Sequence, residues 1–270
     1  MSASAWKFLY RNWALASQGA VWSASSAVPT LPVSHLGLPQ RQRVWRSTGT
    51  TAQSLPVDLG QSRPVGGLAL VDGNLTPAAT VLLEGNAIDV WPGAVSHVVV
   101  PWDPGASGVI PVWFTATETY RWWRLSLSDP SNPSGFLQLG QVYLGPALEM
   151  RDVEEQSRGP GLGASRRRVD PSLVGRSPSG TPYAFAFPRR EQWSLPTGLL
   201  TKDQVFDTLL TTLEESGLTE DVVMSLYAAD PAGDAPARQT NLYGRFTDLP
   251  ELSGAESPYY RGTLAFQESR

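Results

Sequence analysis

The sequence predicts a mainly β fold, in which a β-sandwich is followed by a smaller β-rich domain with one helix. Short apolar runs recur between residues 44 and 150, and Gly, Pro, Asn or Asp bounds most of them. The 25 Gly and 23 Pro supply frequent turns, while a hydrophobic content of 41% is enough for a packed core. After Trp123, residues 120–127 alternate apolar and polar side chains, which is typical of a strand with one buried face.

Changes in composition divide the chain into four parts. We expect an N-terminal arm over residues 1–34, the β-sandwich over 35–150 and the C-terminal β-rich domain over 183–270. The segment between them, residues 151–182, is rich in Arg, Gly, Ser and Pro, and it is either a linker or an extended hairpin.

One helix is predicted near residues 202–216. Thr201 and Gln204 have the spacing of a capping box, and Gly217 provides a C-terminal stop. An apolar stripe at helical spacing consists of Val205, Phe206, Leu209, Leu210 and Leu213. Three strands are expected after the helix, at residues 222–227, 241–247 and 259–266.

Composition argues against several classes of protein. The net charge of −4 and the lack of a basic stripe argue against nucleic-acid binding. No apolar stretch approaches the roughly 18 residues that membrane insertion by a helix requires. Ser17 and Gln18 interrupt the apolar region near the N-terminus, so an N-terminal arm is expected in preference to a signal peptide.

The sequence offers few groups for catalysis. It has no Cys, and its two His residues, His35 and His97, are far apart and lack metal-ligand spacing. We therefore predict no enzyme, no catalytic residue, no cofactor and no metal. A polysaccharide depolymerase is the enzymatic alternative, because paired carboxylates form only in space. The candidate acids for it are Asp89, Asp103, Glu118 and Asp129.

Tryptophan is concentrated in the first half, where nine of the ten Trp residues lie at or before Trp123. Trp122 and Trp123 would point to opposite faces of a strand, so one of them at most enters the core. Subunit interfaces are enriched in aromatic side chains and Arg. The predicted interface residues are therefore Trp6, Trp13, Trp22, Arg166, Arg167 and Arg168. For the three arginines the alternative is a solvated face.

The region from Trp45 to Met150 resembles the galactose-binding-like jelly roll that discoidin-type modules share. The resemblance covers about half of the chain. The phrases that carry it are Trp45-Arg46-Ser47, Val57-Asp58-Leu59-Gly60, the run from Gly67 to Leu75, the run from Arg121 to Pro130, and the run from Leu139 to Pro146.

Together with the arm and the C-terminal domain, this region is similar to the distal or minor tail proteins at the tail tip of long-tailed bacteriophages. The resemblance implies a structural virion protein, made in the host cytoplasm, whose partners are copies of itself, the tail tube and the hub or baseplate. It would form an oligomeric ring. Deletion of residues 1–34 is then expected to leave a folded chain that assembles poorly.

The alternative function is that of a carbohydrate-binding module for host surface glycans. Aromatic side chains in or beside loops are suited to stacking on a sugar ring. The predicted glycan contacts are Trp91, Trp102 and Trp113.

Overall fold

A computed structural model describes residues 6–101, 108–151, 163–228, 234–256 and 258–269. Two residues singled out from the sequence, Trp102 and Asp103, lie outside these ranges.

Strands dominate the described chain. Those before residue 150 are β1 (Lys7–Leu9), β2 (Val21–Trp22), β3 (Trp45–Arg46), β4 (Gln53–Val71), β5 (Thr80–Asn86), β6 (Val95–Val99), β7 (Val109–Ser128), β8 (Gln138–Leu139), β9 (Gln141–Gly145) and β10 (Ala147–Glu149). Those that follow are β11 (Ser165–Val169), β12 (Leu173–Arg176), β13 (Pro182–Phe185), β14 (Arg190–Pro196), β15 (Val222–Ser225), β16 (Asn241–Asp248), β17 (Ser253–Glu256), β18 (Tyr259–Arg261) and β19 (Thr263–Glu268).

Helices are short. A π-helical segment, Gln204–Leu209, runs directly into α1 (Leu210–Ser216), and α2 covers Ala235–Thr240. Two 3-10 turns, Ala16–Gln18 and Val33–Gly37, lie near the N-terminus. The predicted fold class is confirmed, since a two-layer β-sandwich precedes a β-rich part with a helix. No helix in the described ranges is long and apolar enough to span a membrane.

The sandwich is built on two long strands, β4 and β7, which pair with each other twice. Residues 53–58 of β4 pair with 122–127 of β7, and residues 63–71 pair with 109–120. The register shifts between the two pairings, so each strand bends there and continues into the opposite layer. β2, β5 and β6 extend the first layer, and β9 extends the second.

Alternating side chains fill the space between the two layers. In the first layer Leu55 and Val57 are buried, and in the second Leu68 and Leu70 are buried in the same core cluster. Trp123 is fully buried in this cluster, whereas its neighbour Trp122 is half-buried on the other face of β7. The prediction that this pair points to opposite faces is confirmed.

The C-terminal part forms a seven-stranded antiparallel sheet with the order β10-β1-β15-β16-β19-β14-β11. The helix packs on one face of this sheet through Val205, Leu209 and Leu213, which share a core cluster with Phe8 and Phe246. The other face contacts the second layer of the sandwich. There, a third cluster joins the two parts and contains Leu9, Ala69, Val71, Val109, Tyr143, Val223 and Tyr243.

The predicted capping box is confirmed. The Thr201 backbone N–H donates to Gln204 Oε1 at 2.9 Å, and the Gln204 N–H donates to Thr201 Oγ1 at 3.3 Å. Gly217 ends the helix with a positive φ of 56°. The predicted apolar stripe needs one correction, because Phe206 lies on the outer face and is 47% exposed.

The N-terminal segment differs from the predicted arm. β1 lies between β10 and β15 in the interior of the seven-stranded sheet. Trp6, Trp13 and Trp22 are buried within their own chain, so in this structure they are core residues and not surface anchors for another subunit. Two of the three indole N–H groups have partners, since Trp13 donates to the Pro64 carbonyl and Trp22 to the Ala14 carbonyl. The buried Nε1 of Trp6 has no hydrogen-bond partner among the described residues.

Of the segment left open as linker or hairpin, residues 165–169 and 173–176 form strands. β11 pairs with β14 at the edge of the seven-stranded sheet. β12 and β13 form a separate two-stranded hairpin, with Leu173 opposite Phe185.

The position of β1 predicts a large cost for removing its core side chain. Phe8→Ala should lower the free energy of unfolding by about 3–5 kcal/mol, because it empties a fully buried site. Val21→Ala, 67% exposed in the same N-terminal region, should change it by less than about 0.5 kcal/mol. Urea denaturation of both variants measures the difference. Equal stability of the two variants would contradict the placement of β1, and deletion of residues 1–34 is now expected to unfold the C-terminal part.

Candidate functional site

Polar and aromatic side chains occupy the outer face of the first layer. Cross-strand register places Trp122 of β7 between Asp58 of β4 and Asn86 of β5. Two residues along β7, Arg124 lies opposite Glu84. Because Trp123 and Leu125 point into the core, these positions of opposite parity point outward.

We name this surface the indole platform. It consists of Asp58, Glu84, Trp91, Arg121, Trp122 and Arg124.

Two guanidinium–carboxylate pairs hold the platform together. Arg121 binds Asp58 through two parallel hydrogen bonds, from Nε to Oδ1 at 2.7 Å and from Nη2 to Oδ2 at 2.6 Å. Arg124 binds Glu84 Oε2 through Nε at 2.9 Å and Nη2 at 2.6 Å. The Glu84 side chain is only 4% exposed, so its charge requires this partner. Charge-assisted pairs of this geometry fix the direction of both guanidinium planes.

An indole ring lies against the guanidinium group of each pair. The guanidinium carbon of Arg124 lies 4.6 Å from the centroid of the Trp91 ring, and that of Arg121 lies 5.5 Å from the Trp122 ring. Both distances fall within the range of cation–π attraction. The platform therefore repeats one unit, an indole beside a paired guanidinium, at two neighbouring places.

The loop over residues 87–94 positions Trp91. The Trp91 Nε1–H donates to Asp89 Oδ1 at 2.9 Å, and the Gly93 backbone N–H donates to Glu84 Oε1 at 3.2 Å. A Cβ on Gly93 would lie 2.7 Å from the Gly85 carbonyl oxygen, so only glycine allows the loop to lie this close to β5.

The Asp58–Arg121 pair keeps both of its charges near neutral pH. The hydrogen bonds from Arg121 hold the pKa of the Asp58 carboxyl below its ordinary value, and Asp58 in turn raises the pKa of Arg121. Both groups therefore stay ionised across the physiological range. Chemically, the surface offers flat apolar rings together with directed hydrogen-bond donors and acceptors.

The three predicted glycan contacts do not come together. Trp91 belongs to the platform, whereas Trp113 is half-buried against the cluster that joins the two parts of the chain. Trp102 lies outside the described residues. Sequence reasoning identified Trp122 only as one member of a pair and missed the two arginines and their carboxylates. The sequence does indicate that Arg124 accompanies Trp122, because the two residues are two positions apart in an alternating strand and therefore point to the same face.

Two of the three arginines at residues 166–168 form ion pairs within their own chain. Arg166 and Arg168 both pair with Glu191 on the adjacent strand β14, and Arg166 also lies over the Trp193 ring at 5.3 Å. These pairs lower the pKa of Glu191. Arg167 is exposed.

The three candidate acids that the structure describes have local partners. Glu118 binds His97 Nε2 at 2.9 Å. Asp129 is buried and accepts hydrogen bonds from Thr76 and Asn132. His35 Nδ1 lies 2.9 Å from the Val44 carbonyl oxygen. Among the described residues there is no group of three or more His, Asp or Glu side chains that could hold a metal ion.

A second polar cluster lies where the two parts of the chain meet. Asp221 accepts hydrogen bonds from Tyr243 Oη at 3.0 Å, Arg245 Nε at 2.7 Å and Ser269 Oγ at 3.1 Å. Tyr143 Oη donates to the Asp221 carbonyl at 2.9 Å. A cavity of about 210 Å³ adjoins this cluster, and the buried Oε1 of Gln141 lines it without a hydrogen-bond partner in the protein. One or more bound waters would satisfy that atom.

Burial determines the protonation state of the two tyrosines of this cluster. Desolvation raises the pKa of Tyr143 well above 10, and desolvation together with the Asp221 charge raises that of Tyr243. Both side chains therefore remain neutral donors in the folded protein, as their hydrogen bonds require.

Comparisons with known proteins find neither a matching family model nor a matching curated protein. Several matching solved structures are carbohydrate-binding modules or lectin domains. Chitosan-binding module 1 of a chitosanase/glucanase from Paenibacillus sp. IK-5 is 19% identical, with 50% of this chain and 99% of that chain covered at a TM-score of 0.40. A family 32 carbohydrate-binding module from C. perfringens, in complex with galactose, is 18% identical, with 53% and 99% covered at 0.39.

The lectin domain of lectinolysin, complexed with Lewis B antigen, gives 19% identity, with 50% of this chain and 95% of that chain covered at a TM-score of 0.40. At these identities and TM-scores the likeness does not say what this chain binds.

The buried tyrosines predict a specific response to alkaline pH. Tyr143→Phe removes a buried hydrogen bond and should cost about 1–3 kcal/mol at pH 7. Above pH 10, tyrosines of the unfolded chain lose their protons while folded Tyr143 keeps its own, so the wild type loses stability as pH rises. Tyr143→Phe has no such group to titrate. The difference in free energy of unfolding between the wild type and the variant should therefore shrink between pH 7 and 11.

Urea denaturation at the two pH values measures this deficit. The control is Tyr183→Phe, at an exposed position, which should match the wild type at pH 7. A deficit of Tyr143→Phe that is the same at both pH values would contradict a raised pKa.

Proposed function

We propose that this chain is a non-enzymatic binding protein that recognises a glycan through the indole platform. The observation that carries the proposal is the repeated unit of an indole beside a guanidinium–carboxylate pair, on one outward face of a rigid sheet.

Sugars have two kinds of surface, and the platform has a group for each. The C–H face of a pyranose ring is apolar and would stack on Trp122 or on the open side of Trp91. Ring hydroxyls both donate and accept hydrogen bonds, so they would bind the Asp58 carboxylate and the Arg121 guanidinium. Since the two units lie on neighbouring strands, an oligosaccharide of two or more residues would contact both.

Pre-formed geometry favours binding. The ion pairs fix Arg121 and Arg124 before any ligand arrives, and the loop over 87–94 is tied to Glu84 by the Gly93 N–H. A ligand that binds a rigid surface does not have to order it, and this lowers the entropic cost of association.

Removing one indole tests the proposal. The ligand panel contains galactose, chitotriose and Lewis B, each of which is bound in one of the similar solved structures, and further bacterial surface glycans. A bound glycan should raise Tm by mass action. Trp122→Ala should weaken binding about tenfold or more, equivalent to about 1.4 kcal/mol, whereas Trp122→Phe should retain part of it.

Isothermal titration calorimetry measures the affinities, and Leu249→Ala, 51% exposed outside the platform, is the control for unchanged binding. Failure of the whole panel to shift Tm, or equal binding by the wild type and Trp122→Ala, would overturn the proposal.

A second candidate function is that of a structural protein of a phage tail tip, located in the virion, with partners in the tail tube and the hub or baseplate. The observation that favours it is the exposed apolar hairpin formed by β12 and β13, which is suited to contact with another protein surface.

Purified particles test this candidate. Particles induced from the bacterial strain that encodes the chain should contain its peptides at several copies per tail, as measured by quantitative mass spectrometry. Detection of the chain only in cell fractions that lack particles would contradict a virion location.

A further inference from the structure

The cavity where the two parts of the chain meet, which we name the junction cavity, is larger than its one unpaired atom requires. Its volume of about 210 Å³ is the space that roughly seven water molecules occupy in the liquid. Gln141 and Tyr143 line it from the sandwich, and Glu220, Asp221 and Tyr243 line it from the C-terminal part. A molecule bound there would therefore contact both parts of the chain.

The junction cavity carries a surplus negative charge. Asp221 is neutralised, because Arg245 donates to its two oxygens at 2.7 Å and 3.2 Å. Glu220 lines the same cavity, and its carboxylate has no ion pair or side-chain hydrogen bond with any residue that the structure describes. A nearby guanidinium group, that of Arg41, is bound to Asp72. One carboxylate at the cavity is thus left without a counter-charge.

A buried acceptor on the cavity wall lacks a donor. Gln141 is 1% exposed, and its Oε1 has no hydrogen-bond partner in the protein. Its Nε2 donates to the Leu38 carbonyl at 3.4 Å, which leaves Oε1 for an occupant of the cavity. A buried carbonyl oxygen without a donor costs free energy, so this atom indicates a bound group that carries N–H or O–H.

The two tyrosines do not supply that donor. Tyr143 Oη donates to the Asp221 carbonyl and Tyr243 Oη donates to Asp221 Oδ2, so both hydroxyl protons are already used. Burial is the main cause of the raised pKa of Tyr143, and the charges of Glu220 and Asp221 raise it further. The negative charge of Glu220 therefore acts on the interior of the cavity.

A primary ammonium group meets both requirements. It has one positive charge for Glu220 and three N–H donors, one of which would bind Gln141 Oε1. Leu15 and Pro39 give the cavity an apolar wall against which a short carbon chain would pack. A metal ion fits less well. Ca²⁺ takes about six to eight oxygen ligands, and the described residues contain no group of three acidic or His side chains that could hold a metal.

We propose that the junction cavity binds a small organic ammonium group, which pairs with Glu220 and donates a hydrogen bond to Gln141. Two sources share this chemistry, a free small amine and the side chain of a lysine in another protein. The cavity has no residue in common with the indole platform, so its ligand binds independently of any glycan.

Three probes of similar size test the chemistry of the ligand on the full chain. They are n-butylammonium, n-butanol as its neutral counterpart, and tetramethylammonium as a cation without N–H donors. We expect n-butylammonium to raise Tm by mass action and to bind with a millimolar or lower Kd. The other two probes should bind at least about tenfold more weakly in isothermal titration calorimetry.

Substitutions locate the site. Glu220→Gln removes the charge at a partly exposed position, so the fold should be retained while n-butylammonium binds at least about tenfold more weakly. Gln141→Leu removes the buried acceptor and should also weaken binding. Glu251→Gln, the same change of charge at an exposed position outside the cavity, and Trp122→Ala on the indole platform should both bind the probe like the wild type.

A capped lysine, Nα-acetyl-lysine methylamide, identifies the source of the ammonium group. Tighter binding of the capped lysine than of n-butylammonium would support a lysine of another protein, and the reverse would support a free amine. Three outcomes would overturn the proposal: no binding of either ammonium compound, which leaves the cavity to water; equal binding of n-butanol; and full affinity in Glu220→Gln. None of the three bears on glycan binding by the platform.

Discussion

The architecture depends on one strand segment that is buried on both faces. Residues 65–71 of β4 are buried throughout, with Leu68 and Leu70 directed into the sandwich and Ala69 and Val71 directed at the C-terminal sheet. Because this segment has no face in water, the two parts of the chain stack on each other here as consecutive layers. Tyr143 and Tyr243 close this junction through Asp221. The outer face of the first layer and the outer face of the helix are consequently left at opposite ends of the stack.

This separation leaves the platform available for glycan binding at one end of the stack, away from the junction between the two parts of the chain. The same arrangement suits either an adhesive module or a component of a tail tip.

Local patterns were predictable from the sequence, and distant pairings were not. The capping box at Thr201 and the opposite orientations of Trp122 and Trp123 depend on neighbouring residues, and the structure confirms both. β1 is only three residues long, too short for any periodic signal, and its partners lie far along the chain. Tryptophan content indicated large buried or interfacial side chains, but not which surface would bury Trp6. Likewise, the ion pair of Arg124 was not predictable, because its partner Glu84 lies on another strand.

The insertion of β1 into the C-terminal sheet has a consequence for how the chain is made. Its neighbour β15 is synthesised more than 200 residues later, so β1 lacks one of its two partners until that much more of the chain has been made. Contacts of such long sequence separation form slowly, because a large loop must close first. During that interval the nascent chain exposes unpaired strand edges, which favour aggregation.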